Sequence, residues 1–189
     1  MSRTLADLAW PVRTERLSIR PAQQSDAEPT FAFRTLPEVA HWVTGRPTDL
    51  QKWVDGFGDR IDDTLIIEKD GTVIGDLMLR VEDPWAQAEV REQAAGTQAE
   101  IGYTLDPAYG GHGYATEAVR EELRICFEDL GLRRVIAQLF ADNLPSRRLL
   151  ERLGMRQEQH TIKDSLHRNG EWLDGMMYAL LADEWRAEH

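Results

Sequence analysis

The chain has 189 residues, of which 42% are hydrophobic and 29% charged, a balance typical of a folded globular protein. Its formal net charge of −11 disfavours binding to nucleic acid or to anionic lipid and suits a cationic partner, although acidity can also serve solubility alone. The length fits one domain over residues 1–189. No apolar run approaches the ~20 residues that cross a bilayer. We therefore expect no membrane partner and, from the charge, no nucleic-acid partner.

The amino-terminal part of the chain predicts one strand followed by two helices. Alternating apolar and polar residues at 17–20 predict the strand. Ser25 and Asp26 have the character of a helix cap, and the helix behind them is expected to run to about Arg34. Apolar residues at helical spacing predict the second helix over residues 49–60.

A β-hairpin and a further strand are predicted next. Two β-rich runs, 64–68 and 72–79, flank a turn that contains an Asp-Gly pair, which is a strong hairpin signal. Residues 82–97 are mainly polar and predict a long loop. Residues 99–105 predict the strand that follows it.

The rest of the chain predicts two helices and three strands. Val119, Leu123 and Leu130, with Cys126 or Phe127, fall on one face of the first of these helices, and Gly131 is its natural end. In chain order the elements are helix 115–130, strand 135–140, helix 145–153 and strands 155–162 and 176–181. The complete order predicts a mixed α+β domain.

The most informative segment covers residues 100–117, with the sequence EIGYTLDPAYGGHGYATE. A strand ends at Leu105, and Gly110, Gly111 and Gly113 lie just before an amphipathic helix. Glycine permits left-handed backbone angles and a close approach by a ligand. The unpaired N–H groups and the dipole at a helix start can hold a pyrophosphate. An ordinary flexible turn is the alternative, and the Gly-Lys-Ser/Thr ending of a nucleotide P-loop is missing.

A second segment, NLPSRRLLERLGM at residues 143–155, follows the strand predicted at 135–140. Asn143 stands where a strand gives way to a helix, which is the position of an ordinary helix cap. Its side-chain amide could instead bind the amide groups of a ligand. The residues of this segment alone leave both functions open.

Together these segments resemble the GCN5-related N-acetyltransferase (GNAT) superfamily, and more closely its RimJ/RimL-like branch, which acetylates protein N-termini and small amines. The sequence TERLSIRPA at residues 14–22 resembles the opening of that branch. GGHGYATEAV at 110–119 and the segment 143–155 match two further motifs in the same order. The resemblance extends from Thr14 to about Leu181.

The resemblance implies the architecture and the cosubstrate. The sheet would be mixed and mostly antiparallel, with helices on its faces. Two splayed parallel strands, at residues 100–105 and 135–140, would form the cleft for acetyl-CoA or CoA. Pantetheine would lie between these strands, and the pyrophosphate would bind the N–H groups of residues 111–116.

The resemblance also implies individual coenzyme contacts. Asn143 would contact the coenzyme arm, and Ser146 and Arg147 would lie near its thiol end or its phosphates. The residues expected to bind the coenzyme are Tyr103, Thr104, Leu105, Gly110, Gly111, His112, Gly113, Tyr114, Ala115, Thr116, Asn143, Ser146 and Arg147.

The chain departs from the family pattern at two positions. Gly110 stands where the family usually has Gln or Arg, so one side-chain contact is lost while the backbone donors are kept. Leu150 stands where much of the superfamily has a Tyr that protonates the leaving thiolate. Ser146 is then the candidate catalytic acid, and water is the alternative proton donor.

Glu100 is the candidate catalytic base for a protonated amine. It begins the strand expected to run along the thioester, and its alternation with Ile101 can turn it towards the cleft. An exposed carboxylate at a strand edge is the alternative. The other candidates for the base are Glu82, Asp83, Tyr103 and Asp76.

We therefore expect an enzyme that moves an acetyl group from acetyl-CoA to a primary amine, on a protein N-terminus or a small molecule, by direct attack. A transferase that uses succinyl-CoA or another acyl-CoA remains an alternative. A non-catalytic sensor module that binds acyl-CoA is another, and a glycine-rich turn that binds nothing is the third.

Cysteine and histidine usage bear on location and on metals. Cys126, the single cysteine, excludes an internal disulfide and is expected to be a buried core thiol rather than a nucleophile. Since the start of the chain also lacks a basic and apolar leader, we expect a cytoplasmic protein. The five histidines, which include His112 and His189, show no metal-ligand spacing, so we expect no metal. His112 could contact a phosphate or face solvent.

Six tryptophans are expected to serve mainly as core or cover. Trp42 and Trp53 fall in the helical region that walls the acceptor site in the family. Trp85 falls in the long polar loop, where an exposed indole would indicate an acceptor or a subunit contact. A homodimer is a possible assembly, because dimers are the commonest closed one.

Overall fold

The computed structural model describes residues 4–188, so His189 lies outside the described residues. In residues 4–188 the elements are eight strands and seven α-helices. The strands are β1 Val12–Arg13, β2 Ser18–Pro21, β3 Thr64–Lys69, β4 Thr72–Glu82, β5 Gln98–Leu105, β6 Arg134–Phe140, β7 Arg156–Leu166 and β8 Trp172–Leu181. The helices are α1 Ala27–Arg34, α2 Pro37–Ala40, α3 Leu50–Asp55, α4 Arg91–Ala94, α5 Tyr114–Arg124, α6 Leu144–Arg152 and α7 Ala182–Glu188.

The strands form one mixed sheet in the order β1-β2-β3-β4-β5-β6-β8-β7. The pair β5–β6 is parallel, whereas β1–β2, β2–β3, β3–β4, β6–β8 and β7–β8 are antiparallel. This confirms the predicted α+β fold with a mostly antiparallel sheet and one parallel pair. Within residues 4–188, no helix has both the length and the apolar character that a membrane span requires.

The chain divides into two compact units, each assembled from separate segments. The amino-terminal unit contains Asp7–Met78 and Tyr103–Glu122. The carboxy-terminal unit contains residues 79–102 and 123–188 together with the short segment before Asp7. The expectation of one domain over the whole chain stays a prediction.

The hairpin forms for the reason that the sequence indicates, whereas the start of the first helix differs from the prediction. Asp70 and Gly71 both adopt positive φ angles, 50° and 78°, as the two central residues of a tight hairpin turn require. Before α1, the Asp26 carboxylate accepts the main-chain N–H of Gln23 at 2.7 Å and also pairs with Arg20 at 2.8 Å. Asp26 stands at the N-cap position of α1, but its carboxylate accepts no N–H group of that helix and instead closes the short 3₁₀ turn Gln24–Asp26, so the predicted side-chain cap is wrong.

Several element bounds differ from those predicted. The second predicted helix, 49–60, is shorter, because α3 ends before Gly56 and a 3₁₀ segment, Phe57–Asp63, follows it. β4 extends beyond residue 79 to Glu82, and the loop behind it contains the short helix α4. β1, α2 and α7 were not predicted, since the first two are very short and α7 is mostly polar.

The long predicted helix 115–130 is α5 followed by a π-helical turn, Ile125–Asp129, and Gly131 ends it at a φ of 68°. The main-chain N–H of Leu130 donates to the carbonyl of Ile125, the five-residue spacing of a π turn. The predicted apolar face is buried, and both Cys126 and Phe127 belong to it. Cys126 is fully buried, as expected for a core thiol.

One carboxyl group lies within the apolar interior of the amino-terminal unit. Glu122 of α5 is fully buried, and neither of its carboxyl oxygens has a hydrogen-bond partner among the described residues. Burial raises the pKa of Glu122 well above its ordinary value, and the nearby Asp76 carboxylate raises it further. Asp76 itself forms a two-point ion pair with Arg34 at 2.6 and 2.7 Å. Glu122 is therefore a neutral acid beside a buried ion pair.

Replacing Glu122 with Leu is expected to raise the free energy of unfolding by about 1–3 kcal/mol at pH 7, because it removes a buried polar group that has no partner. The folded protein keeps the Glu122 proton at pH values where the unfolded chain releases it, so the wild type loses stability as the pH rises above the ordinary carboxyl pKa. The advantage of Glu122→Leu should therefore be smallest near pH 4 and grow towards neutrality in denaturant titrations.

Glu122→Gln is the matched control for this prediction. It keeps a buried polar group but cannot ionise, so it should remove the pH dependence while giving less stabilisation than Leu. A stability difference between Glu122→Leu and wild type that stayed constant with pH would contradict the neutral state of Glu122.

Candidate functional site

The glycine-rich segment of the amino-terminal unit begins where β5 ends. The main-chain N–H of Asp106 donates to the carbonyl of Ile74 at 2.8 Å, which is the last bond that ties this segment to β4. The Asp106 side chain then accepts the N–H of Ala108 and caps a short 3₁₀ turn, Pro107–Tyr109. The chain thus leaves the sheet and returns into α5 through residues 110–113.

The return segment exposes main-chain donors. Gly111 and Gly113 have φ angles of 79° and 80°, in the left-handed region that favours glycine. A Cβ atom placed on Gly111 would have open space around it, with no other atom within 4 Å. In the described part of the chain, the N–H groups from Gly111 to Ala115 have no hydrogen-bond acceptor. These donors and the positive end of the α5 dipole can hold an anion, so we call residues 111–115 the amide cradle.

Arg16 contacts three successive parts of the amide cradle and α5. Its guanidinium donates to the His112 carbonyl at 2.9 Å and lies 4.7 Å from the centre of the Tyr114 ring. It also donates from Nε to Glu117 at 2.7 Å, and the main-chain N–H of Arg16 donates to the same carboxylate at 2.8 Å. The Thr14 hydroxyl is a further donor to Glu117. We call Thr14, Arg16 and Glu117 the arginine clamp.

The end of β5 comes close to β4 at a glycine. A Cβ atom on Gly75 would lie 2.4 Å from the carbonyl oxygen of Thr104, a distance that no real side chain permits. Glycine is therefore required at 75 for this approach. Thr104 is buried, whereas Tyr103 and Leu105, the other two residues expected to bind pantetheine, are half-buried.

In the carboxy-terminal unit, the ladder between β5 and β6 is short. It joins Gln98 to Arg134, Ala99 to Val135 and Glu100 to Ile136. Both strands continue beyond the last of these pairs, to Leu105 and Phe140. The parallel pair predicted for the coenzyme strands therefore exists, and its ladder ends at Glu100. That the coenzyme lies there stays a prediction.

The surroundings of Glu100 raise the pKa of its carboxyl group. It is half-buried, and burial raises its pKa first, with the neighbouring Glu82 carboxylate adding to the rise. Arg80 and Gln138 act in the opposite direction, and the Gln138 amide lies 3.4 Å from the Glu100 carboxylate. A carboxylate with a raised pKa accepts a proton more readily near neutral pH.

The other candidate bases are more strongly engaged. Asp76 is buried in its ion pair with Arg34. Glu82 accepts the Gln98 side-chain amide at 2.6 Å, and Asp83 accepts the main-chain N–H of Gly96 at 2.7 Å. These contacts favour Glu100 over the other carboxylates as the base.

Asn143 serves as the N-cap of α6, because its side-chain oxygen accepts the main-chain N–H of Ser146 at 3.3 Å. This contact uses the oxygen of the amide and not its NH₂ group. Arg147 donates to the carbonyl of Ala141 at 3.3 Å, and its Nε is buried without a partner in the described structure. Leu150 is fully buried, so this position of α6 is part of the core.

Trp85 is 89% exposed, so the loop that follows β4 presents an indole to solvent. Trp53 packs against α1 and donates to the carbonyl of Ala27, and Trp185 is buried. Of the histidines, His112 is exposed on the cradle. Within residues 4–188, no group of three or more His, Cys, Asp or Glu residues could hold a metal ion.

The predicted site residues fall into the two units. Residues 103–105 and 110–116 belong to the amino-terminal unit, whereas Glu100, Asn143, Ser146 and Arg147 belong to the carboxy-terminal unit. The arginine clamp was not predicted from the sequence. The available signal was that the TERL motif contains Arg16 and the GYATE motif contains Glu117, whose opposite charges could pair.

The model of the acetyltransferase (GNAT) domain family matches residues 16–156 of the chain. This range contains the amide cradle, Arg16 and Glu117 of the arginine clamp, Glu100 and α6. It therefore covers every candidate site residue that the sequence predicts.

Individual proteins agree with the family match. An uncharacterised N-acetyltransferase of Bacillus licheniformis, p20, is 29% identical over 184 residues, which cover 91% of this chain and 96% of that protein. The uncharacterised N-acetyltransferase YnaD of Bacillus subtilis is 38% identical over 86 residues. This match covers 46% of this chain and only 50% of the length of YnaD. A GNAT-family acetyltransferase structure from Bacillus anthracis superposes with a TM-score of 0.78 at 26% identity, over 92% of this chain and 99% of that one.

Replacing Glu82 with Gln is expected to lower the pKa of Glu100, because it removes the neighbouring negative charge that helps to raise it. The pKa can be measured by NMR titration of ¹³C-labelled glutamate side chains. Glu89→Gln removes the same charge from an exposed position on the loop and should leave the Glu100 pKa unchanged. An equal pKa of Glu100 in wild type and Glu82→Gln would show that the Glu82 charge does not act on it.

Proposed function

The chain belongs to the acetyltransferase (GNAT) family, and on that basis we propose that it transfers an acetyl group from acetyl-CoA to a primary amine. We place it in the RimJ/RimL-like branch, whose acceptors are protein N-termini and small amines, because the TERL and GYATE motifs resemble that branch. The acceptor is a cation before it reacts, which suits a chain with a net charge of −11.

The amide cradle is the observation that carries this proposal. The diphosphate of CoA needs several donors that are not already used by the protein, and the N–H groups from Gly111 to Ala115 meet that need. Gly111 and Gly113 leave room for the phosphate oxygens because neither carries a Cβ. Gly110 and Thr116 flank these donors and complete the proposed diphosphate site.

The pantetheine arm is proposed to bind backbone groups of Tyr103, Thr104 and Leu105. The side-chain NH₂ of Asn143 is the proposed donor to an amide carbonyl of the arm, since the cap contact uses the oxygen of Asn143. Arg147 is proposed to bind the part of the coenzyme that lies beside α6, because its guanidinium already contacts the carbonyl of Ala141 next to this helix.

The reaction requires removal of a proton from the amine. An alkylamine with a pKa of about 10.4 is mostly protonated at neutral pH. Glu100 is proposed to accept this proton, directly or through one water molecule, and its raised pKa suits that task. The Glu82 carboxylate adds negative potential that attracts the cationic amine before it loses the proton.

Acetyl-CoA supplies an activated thioester whose acyl group the neutral amine attacks. The amine nitrogen forms the new amide bond as the carbon–sulfur bond breaks. The departing sulfur then takes a proton, for which we propose the Ser146 hydroxyl, with water as the other donor. The second proton that the nitrogen loses as the amide forms returns to this donor and restores it. Position 150 offers no phenol as a proton donor, because the residue there is Leu. The Leu150 side chain is buried in the core.

A cytoplasmic location is part of the proposal and is supported by the single, buried cysteine. Exposed Trp85 is proposed to contact either the acceptor or a second copy of the chain. Sedimentation of wild type and Trp85→Ala distinguishes these two roles, because only the second predicts a change of assembly.

Glu100→Gln is expected to lower kcat about 100-fold at pH 7 while KM for acetyl-CoA changes little, because the proton acceptor is lost and the coenzyme contacts are kept. In the wild type, kcat should fall as the pH drops through the raised pKa of Glu100, since only the carboxylate accepts a proton. This fall should disappear in Glu100→Gln and move to lower pH in Glu82→Gln. Release of free CoA thiol measures the rate, and Glu89→Gln is the control. Unchanged kcat in Glu100→Gln would remove Glu100 from the role.

Gly111→Ala is expected to raise KM for acetyl-CoA about tenfold with little change in kcat. The alanine strains a backbone held at a φ of 79° and places a methyl group on the face of the proposed diphosphate site. Gly71→Ala is a matched control, because Gly71 has a φ of 78° and equally open surroundings but lies in the hairpin turn. Equal KM values for the two variants would contradict the proposed diphosphate site.

The acceptor and the acyl group can be identified with a panel of peptides with free N-termini, aminoglycosides and polyamines, each offered with acetyl-CoA and with succinyl-CoA. Thiol release with one acyl-CoA identifies the acyl donor. Calorimetric binding of CoA without turnover on any amine would favour the sensor module. Absence of CoA binding at micromolar to millimolar concentrations would overturn the proposed function.

A further inference from the structure

We propose that Arg16 is a positioning residue that holds the amide cradle in its anion-binding shape and cancels the charge of Glu117 beside it. This inference rests on the proposed function, because it concerns the same diphosphate site. It concerns side chains about one hundred residues apart in sequence, and it assigns a role to Arg16 that does not require contact with the coenzyme.

The contacts of Arg16 follow the cradle from its loop into its helix. The bond to the His112 carbonyl fixes the peptide that lies between Gly111 and Gly113. The guanidinium covers the Tyr114 ring at the first position of α5, and a Cβ on Gly113 would lie 3.5 Å from its Nη2. Residues 110–113 have no regular secondary structure of their own. A loop with two left-handed glycines gains order from such external contacts, which lowers the entropic cost of binding an anion.

The charge of Glu117 makes Arg16 necessary for a second reason. Glu117 lies in the first turn of α5, where a carboxylate is attracted by the helix dipole and opposes the approach of another anion. Partial burial raises the pKa of Glu117, but hydrogen bonds from Thr14 and Arg16 outweigh it, so the pKa lies below its ordinary value. Glu117 is thus ionised at neutral pH. The Arg16 guanidinium, 2.6 Å from the Glu117 carboxylate, neutralises it.

Replacing Arg16 with Met removes both effects and leaves the Glu117 carboxylate next to the cradle without its neutralising charge. We expect KM for acetyl-CoA to rise at least tenfold, with kcat within about twofold of wild type. The same variant should use S-acetyl-pantetheine as well as the wild type does, because that donor has no diphosphate. A general loss of folding would affect both donors, so the comparison isolates the diphosphate site. Thermal unfolding of each variant reports separately on the fold.

Two further variants separate the local pairing from a general change in charge. Arg13→Met removes the same charge from an exposed residue of β1 and should change KM for acetyl-CoA by less than about twofold. The double variant Arg16→Met/Glu117→Gln removes the carboxylate as well, and we expect it to recover much of the loss caused by Arg16→Met. Calorimetric titration with CoA provides the matching dissociation constants.

Equal losses with acetyl-CoA and S-acetyl-pantetheine in Arg16→Met would overturn the positioning role, as would equal losses in Arg13→Met and Arg16→Met. A double variant no better than Arg16→Met would overturn the charge-cancelling role of Arg16. Failure of the proposed function looks different, because the wild type itself would then not bind CoA. A wild type that binds CoA, with an Arg16→Met variant that binds it equally well, would refute this inference alone.

Discussion

The start of α5 is the feature on which the rest of the structure depends. Its first main-chain N–H groups have no acceptor within the described chain, and under the proposed function an acidic protein presents them to an anion despite its own charge. Backbone donors solve this problem because they carry positive potential without adding basic side chains. Arg16 then balances the carboxylate of Glu117, which lies in the first turn of α5.

The amino-terminal unit combines this exposed polar site with a polar group in its interior. On the same helix, α5, Glu117 is ionised and paired, whereas Glu122 is neutral and buried without a hydrogen-bond partner among residues 4–188. The difference follows from their surroundings, since Glu117 receives three donors and Glu122 faces the apolar core beside the Asp76 carboxylate. Two identical side chains five residues apart thus have pKa values shifted in opposite directions.

Most of the fold and much of the candidate site were predictable from local patterns. The hairpin at Asp70 and Gly71, the buried face of α5 and the glycines of the cradle each follow from a few neighbouring residues, and the structure contains all three. The early end of α3 was not predicted, because apolar residues at helical spacing continue beyond Gly56. The low helix propensity of Gly56 ends the helix there all the same. The very short elements β1 and α2 carry too few residues for a periodic signal.

The features of the structure that the sequence did not predict depend on contacts between distant segments. Arg16 and Glu117 are 101 residues apart, so no local pattern could pair them. Gly75 looks like any strand glycine until the Thr104 carbonyl is seen to approach it. Glu122 falls on the apolar face of α5, between Val119 and Leu123, yet its burial depends on what packs against the helix. Side-chain charge states of this kind require the tertiary structure.

The π turn at Ile125–Asp129 has a consequence for how this helix can change in length. A π turn holds one residue more than the α-helical turn it replaces, so it behaves as an accommodated single-residue insertion. Deleting one residue there would let the backbone close into continuous α-helix without rotating either flanking segment. The chain can therefore lose a residue in the middle of its core while α5 keeps its amide cradle and Gly131 still ends the helix.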